Sequence, residues 1–162
     1  MRDVFCQPMA ANGILSEARC TRYYAAPEVL LSRAPSRAFY DLSSDIWSLG
    51  VTCAQMETGS VQFSSKSDIG MMLSILKVFG TPASASEWQE ICDPACVLGT
   101  HGTHLFPNFQ PVASHLKPWG HIYDSAFSRF MDRVLQLKPR QRSTARVLRL
   151  DTFALTPVAN GM

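Results

Sequence analysis

The sequence predicts a mainly α-helical fold. Apolar residues recur at spacings of three and four over residues 69–79 and 127–135, which is the period of a helix with one buried face. Serine, threonine and aspartate precede these segments, and such residues favour helix starts. No stretch alternates apolar and polar residues well enough to predict a strand. At 162 residues the chain is long enough for one domain with a buried core.

The N-terminal quarter predicts loops around one short helix. Residues 1–20 show no periodicity and are interpreted as a loop. A helix is predicted from Pro27 to Leu31, because proline suits a first helical turn. Residues 32–43 are rich in serine, proline and arginine and predict another loop.

A long helix is predicted next, with Ser44 or Asp45 as its N-cap. It runs to about Thr58, and Gly59 suits its C-cap. Apolar residues occupy nearly every face, which predicts a helix buried all round. Those residues are Ile46, Trp47, Leu49, Val51, Cys53, Ala54 and Met56.

The rest of the chain predicts further helices around an irregular insert. Ser67 or Asp68 caps a helix that Gly80-Thr-Pro82 ends. Residues 83–120 hold many prolines and glycines and predict a long irregular insert, with one helical turn at Ser86–Cys92. Two C-terminal helices follow, one opened by Asp124 or Ser125 and one over about Thr144–Asp151. Phe127, Phe130, Met131, Val134 and Leu135 share one face of the first.

Composition excludes several classes of protein. The net charge of +2 predicts no nucleic-acid partner. No apolar run approaches the roughly 18 residues of a membrane span, and the N-terminus has no signal-peptide apolar region. Five cysteines, an odd and scattered set, favour a reducing compartment, cytoplasmic or nuclear, over a disulfide framework.

One cluster of potential metal ligands lies in the insert. Cys92, Cys96, His101 and His104 are four side chains that can bind zinc within a short span. Their spacing is not that of a common zinc finger, and no hairpin pattern flanks them. Loop residues without a metal are therefore the default interpretation, and a zinc site is the alternative.

Three sequence motifs follow one another along the chain. They are Cys20-Thr-Arg-Tyr-Tyr-Ala-Ala-Pro-Glu-Val-Leu-Leu31, Asp45-Ile-Trp-Ser-Leu-Gly50 and Leu137-Lys-Pro-Arg-Gln-Arg-Ser-Thr-Ala145. Their order resembles the eukaryotic protein kinase family, from the end of the activation segment to the last helices. Phe79-Gly-Thr-Pro82 and Phe106-Pro107 are similar to segments of the group containing cyclin-dependent and mitogen-activated kinases. The resemblance implies the lower part of a kinase C-terminal lobe over 16–153, after a loop at 1–15 and before a tail at 154–162.

The resemblance also implies roles for single residues. Ala26, Pro27 and Glu28 form its Ala-Pro-Glu motif, and Glu28 would make a buried ion pair with Arg142. Thr21, Arg22, Tyr23 and Tyr24 would border the substrate pocket, with Thr21 near the catalytic aspartate. Asp45 would accept hydrogen bonds from the catalytic-loop backbone, with Trp47 packed nearby and Gly50 structural. Ser16 would sit at the activating phosphosite; its alternative is an unmodified loop serine.

The groups that handle ATP and magnesium in that family have no counterpart here. We find no Gly-x-Gly-x-x-Gly loop, strand lysine, His-Arg-Asp motif or Asp-Phe-Gly motif. Arg2-Asp3 imitates part of His-Arg-Asp, but Pro8 stands where the motif has asparagine. The family implies ATP and Mg²⁺, whereas we expect no cofactor and no catalytic residue in this chain, and interpret it as a truncated kinase domain.

Departures from the family pattern bear on specificity. Ala25 replaces the arginine that shapes the pocket for a proline after the target residue. Ala18 replaces the second phosphosite residue, and Lys138 the usual aspartate before proline. Two function hypotheses follow. The chain is part of a serine/threonine kinase, inactive alone and completed by a missing half or regulatory subunit, or it is a pseudokinase-like scaffold that binds a protein partner.

Overall fold

The described part of the chain is helical, with no strand among its residues. The structure is a computed structural model and describes residues 21–31, 41–91, 106–113, 117 and 125–149. A 3₁₀ turn precedes the first helix and another precedes the last. In chain order these elements are the turn Arg22–Tyr24, α1 Pro27–Leu31, α2 Leu42–Thr58, α3 Asp68–Phe79, α4 Ala85–Gln89, α5 Ser125–Val134, the turn Pro139–Gln141 and α6 Ala145–Leu148.

The long helix α2 begins earlier than the sequence predicted. Asp41 is its N-cap, and its carboxylate accepts a hydrogen bond from the Ser43 N–H at 2.8 Å. Ser44, predicted as a cap, instead lies inside the helix, where its side chain is buried. The predicted C-cap is confirmed: Gly59 has φ 69°, a left-handed conformation that glycine adopts without steric cost.

The prediction that α2 is buried all round is wrong. Ile46, Trp47 and Val51 are buried, but Leu49 is 44% exposed and Met56 is 79% exposed. Leu42 is also exposed and lies seven residues before Leu49, so the three side chains share one face of the helix. This exposed face of α2 is not covered by the elements that bury the opposite side.

The main core forms around Trp47. Its indole is fully buried, with ring centroids 6.0 Å from Phe63 and 5.6 Å from Phe79. The predicted apolar face of α5 completes the cluster, since its five residues are all at most 4% exposed. Gly50 allows α2 and α5 to approach closely: a Cβ there would lie 2.7 Å from side-chain atoms of both Val134 and Leu135.

The described part of the insert contains a short helix, α4, which overlaps the helical turn predicted at Ser86–Cys92 and begins one residue earlier. Ser84 caps α4, and Trp88 of that helix is fully buried. Residues 106–113 lie against the C-terminal end of α3, where the Val112 N–H donates to the Val78 carbonyl at 3.0 Å. The Phe106 ring stacks on Trp88 with centroids 5.5 Å apart. The caps predicted for α3, Ser67 and Gly80, are both confirmed.

Two further predictions are settled in part. The last helix, α6, has Thr144 as its N-cap and ends at Leu148, whereas Asp151 lies outside the described residues. The predicted loop at 1–20 and the tail at 154–162 also lie outside them. Within the described ranges, no helix combines the length and apolar character needed to cross a membrane.

Candidate functional site

The turn Arg22–Tyr24 is fixed to two helices through its side chains. Arg22 Nε donates to Asp68 Oδ1 at 2.6 Å, and Arg22 Nη1 donates to the Lys66 carbonyl at 2.9 Å. These contacts tie the turn to the start of α3. The Tyr24 hydroxyl donates to Gln55 Oε1 on α2 at 2.5 Å. The turn is therefore held from both sides, while Tyr23 between these anchors is 40% exposed.

The chain passes from this exposed turn directly into the core. Ala25 is 3% exposed and Ala26 1%, and both have side chains too small to contact ligands at the surface. Pro27 begins α1, where its missing N–H leaves no helix hydrogen bond unmade. The result places the carboxylate of the next residue, Glu28, inside the protein.

A buried ion pair joins α1 to the segment between α5 and α6. Arg142 Nη1 lies 2.6 Å from Glu28 Oε1, and Arg142 Nη2 lies 2.8 Å from Glu28 Oε2. This is the two-pronged arrangement that the planar guanidinium favours with a carboxylate. Both side chains are almost completely buried, at 0% and 3% exposure. The structure thus brings together two residues that the motif order predicted to pair, 114 positions apart.

All five N–H donors of Arg142 have acceptors. Besides Glu28, they reach the Gln136 carbonyl at 2.9 Å, the Ser43 carbonyl at 3.0 Å and the Leu137 carbonyl at 3.3 Å. The guanidinium carbon also lies 5.1 Å from the centroid of the Trp47 ring, a cation–π distance. One side chain therefore links α1, the start of α2 and the segment after α5.

Sequence reasoning missed three polar partners in this region. The Ser44 hydroxyl donates to Glu28 Oε1 at 2.8 Å, which satisfies a further lone pair of the buried carboxylate. Asp68 and Gln55 anchor Arg22 and Tyr24 as described above. Each contact spans at least 16 positions in the chain, so no local pattern reveals it.

Two other predicted site residues, Thr21 and Asp45, are exposed. Thr21 is exposed at the start of the turn, and its carbonyl accepts a hydrogen bond from the Tyr24 N–H. Asp45 lies in the first turn of α2 and is exposed. Their roles near a catalytic loop stay predictions. Ser16 and the four possible zinc ligands, Cys92, Cys96, His101 and His104, lie outside the described residues.

Among the described residues, no group of three or more histidine, cysteine or acidic side chains is placed to hold a metal ion. Cys53 on α2 is half-buried, and this burial raises the pKa of its thiol. A protonated thiol is a poor nucleophile, so this cysteine suits packing rather than chemistry. The described region offers an exposed turn that is anchored to α2 and α3, next to the helix whose Glu28 is paired with Arg142.

Comparison with known proteins shows which family this chain is similar to. The chain matches the protein kinase domain family over residues 5–153. It is 30% identical over 129 residues to the serine/threonine-protein kinase RIM11/MSD1 of Saccharomyces cerevisiae, an alignment covering 78% of this chain and 30% of that protein. Dual specificity tyrosine-phosphorylation-regulated kinase 4 of Homo sapiens is 29% identical over 133 residues, covering 76% and 24%. Mitogen-activated protein kinase 13 of Mus musculus is 33% identical over 134 residues, covering 77% and 31%.

These alignments cover far more of this chain than of its relatives. The chain spans between 24% and 31% of the length of the three proteins. The match to the domain family includes all three motifs of the sequence analysis, together with both members of the Glu28–Arg142 pair.

Proposed function

We propose a function from one premise: this chain belongs to the protein kinase family. Within that family, the chain forms the substrate-facing helical part of a serine/threonine kinase C-terminal lobe. Its group is the one that contains the cyclin-dependent and mitogen-activated kinases. The observation that carries the proposal is the buried Glu28–Arg142 pair, which joins α1, directly after the Arg22–Tyr24 turn, to the segment between α5 and α6.

Anchoring explains how this part can present a protein substrate. The Arg22–Tyr24 turn is held by Asp68 on one side and Gln55 on the other. A turn held in this way loses little conformational entropy when a peptide binds, which favours recognition. The partner is then a protein that carries the target serine or threonine, in the cytoplasm or nucleus.

The chain's own residues point to binding and orientation rather than to phosphoryl transfer. Transfer needs groups that position the nucleotide and neutralise charge on its phosphates. The sequence has neither the glycine-rich loop nor the His-Arg-Asp and Asp-Phe-Gly motifs that supply them. We therefore assign no transfer step to this chain and expect ATP and Mg²⁺ to be held by other residues of a complete kinase.

Specificity for proline after the target residue is not expected. Ala25 stands where the resembling group has an arginine, and it is 3% exposed. A methyl group offers no hydrogen-bond donor to shape a polar pocket. Substrate selection therefore falls to the exposed Tyr23 and to Arg22, whose side chain lies at the surface beside Asp68.

The second candidate function is a non-catalytic scaffold, and the exposed face of α2 favours it. Leu42, Leu49 and Met56 lie at seven-residue spacing on this face and are 69%, 44% and 79% exposed. An apolar stripe of this length suits a second helix. In the kinase hypothesis the rest of the lobe covers it, and in the scaffold hypothesis a separate partner does.

We predict that the double substitution Leu49→Gln and Met56→Gln weakens self-association of the purified chain. Removing two exposed apolar side chains removes the gain from burying them between copies, and the dissociation constant should rise about tenfold or more. Sedimentation velocity over a concentration series measures it. Ile69→Gln is the matched control, because Ile69 is 69% exposed on α3. A wild-type chain that sediments as a monomer throughout would contradict the prediction.

A peptide-binding measurement tests the proposed function. Fluorescence anisotropy of a labelled pool of serine- and threonine-containing peptides should show saturable binding to the chain. Arg22→Ala should weaken it about tenfold, since the turn then loses its anchors on Asp68 and Lys66. Arg129→Ala, at an exposed position on α5, is the control and should leave binding unchanged. Equal binding by the Arg22 variant would argue against a substrate-facing turn.

A further inference from the structure

Residues 106–113, here called the strap, lie against the C-terminal end of α3, and Thr81, two residues beyond that helix, bonds to the first half of the strap. Thr81 Oγ1 donates to the Pro107 carbonyl at 2.7 Å and accepts from the Phe109 N–H at 3.0 Å. The Thr81 N–H also donates to the Phe109 carbonyl at 2.9 Å. Three hydrogen bonds of a single residue therefore hold the first half of the strap.

The second half of the strap also lies against α3. A backbone hydrogen bond joins the Val112 N–H to the Val78 carbonyl at 3.0 Å. Gly80 lets Pro111 approach the backbone closely, since a Cβ at Gly80 would lie 2.9 Å from Pro111 Cδ. Apart from Phe106, Phe109 and Val112 the strap residues are exposed, and exposed segments of this kind open locally at low cost in free energy.

The strap covers a second apolar cluster that is separate from the one around Trp47. This cluster comprises Leu31, Met72, Leu76, Trp88, Ile91 and Phe106. Phe106 belongs to the strap and is 7% exposed, whereas Leu31 is the last residue of α1 and is 8% exposed. The α3 residues Met72 and Leu76 therefore belong to one cluster with Leu31 of α1 and Phe106 of the strap.

We propose that the strap regulates the position of α1 by changing between a closed and an open state. We call this device the latch, and Thr81 is the residue that holds it closed. When the latch is closed, the second cluster is complete and Leu31 holds α1 in place. When it opens, Phe106 leaves the cluster, and α1 loses packing at its C-terminal end, one turn from Glu28. The segment that carries the Arg22–Tyr24 turn then loosens. The inference rests on the proposed function only in calling that turn substrate-facing.

The hydroxyl group of Thr81 is suited to holding the strap closed. Its hydroxyl donates one hydrogen bond and accepts another, so its removal leaves both the Pro107 carbonyl and the Phe109 N–H without that partner. The Thr81–Pro107 bond is exposed and the Phe109–Thr81 bond is half-buried, so water can take over both backbone groups once the hydroxyl is gone, and the equilibrium shifts towards an open strap. Valine has nearly the shape of threonine but cannot make either bond.

Amide hydrogen exchange of the Thr81→Val variant tests the latch. We expect exchange at Phe109 and Val112 to accelerate about tenfold or more, and at Leu30 of α1 about threefold. The Leu30 N–H donates to the Ala26 carbonyl and reports on α1. Leu135, whose N–H donates to the Met131 carbonyl in the main cluster, is the internal reference and should not change.

Two variants separate the latch from general destabilisation. Thr81→Ser keeps the hydroxyl and should exchange like the wild type. Thr58→Val removes a hydroxyl that bonds the Ala54 carbonyl at the end of α2, away from the strap, and should leave all three reporters unchanged. If Thr81→Val does not fold, Phe106→Leu loosens the Trp88 stack instead and should give the same pattern.

The outcomes are distinct. Faster exchange in the strap with an unchanged Leu30 would overturn the coupling to α1. Unchanged strap amides, or an equal acceleration at Leu135, would overturn the latch itself. Exchange does not depend on peptide binding. A failed peptide experiment with a positive exchange result would reject the proposed function and keep the latch.

Discussion

Replacing either Glu28 or Arg142 with alanine is expected to lower the free energy of unfolding by about 3–5 kcal/mol. Each substitution leaves the partner charge buried without its counter-ion, and both side chains are at most 3% exposed. Arg142→Ala also removes three hydrogen bonds to backbone carbonyls, those of Gln136, Ser43 and Leu137. Urea denaturation, with folding followed by circular dichroism, measures the loss.

The double variant should be little less stable than either single variant, because the second change removes a charge that is already unpaired. The exposed Arg22–Asp68 pair is the control. Its side chains are 46% and 57% exposed, so breaking it should cost only about 0–1 kcal/mol. A coupling energy near zero between Glu28 and Arg142 would mean that the two residues do not meet in solution.

Trp47→Ala is expected to cost about 3–5 kcal/mol, the range for a large aromatic side chain removed from a core. The indole is fully buried and packs against Phe63 and Phe79. It also covers one face of the Arg142 guanidinium. Trp47→Phe keeps an aromatic face and should cost less than the alanine change.

Denaturation of these two variants beside wild type checks the ranking. The alanine variant should show the larger fall in midpoint with little change in the slope against urea. Equal stability of Trp47→Ala and wild type would contradict a core centred on this residue.

Local sequence signals predicted the helical elements well, because capping and apolar spacing act over a few residues. Ser67, Gly59 and Gly80 occupy the predicted cap positions of α2 and α3. The predicted start of α2 lies about one helical turn after the observed start. Both Asp41 and Ser44 are good N-cap residues, and Ser44 instead uses its hydroxyl to support Glu28. Tertiary hydrogen bonding decided between two equivalent local signals.

Exposure along α2 could not be read from hydrophobicity alone. Leu49 and Met56 are as apolar as Ile46 and Val51, yet only the latter pair faces α5 and the rest of the core. The pattern showed that the helix has apolar residues on all sides, but not which side has neighbours. The exposed face of α2 is therefore a finding of the structure.

The contacts of the candidate site were also predicted only in part. The resemblance to the kinase family implied that Glu28 and Arg142 meet, although 114 positions separate them. Nothing in the sequence predicted that Thr81 bonds to the strap, because the prolines and glycines of the insert predict only irregular structure. That contact depends on where α3 ends relative to residues 107–109, which is a property of the assembled fold.

A calorimetric titration of the purified chain with Mg-ATP separates substrate presentation from nucleotide binding. If this chain presents the substrate and other residues of a complete kinase bind the nucleotide, we expect no saturable heat of binding and no phosphate transferred to added peptide. Saturable binding of Mg-ATP, together with transfer to serine or threonine, would contradict this expectation.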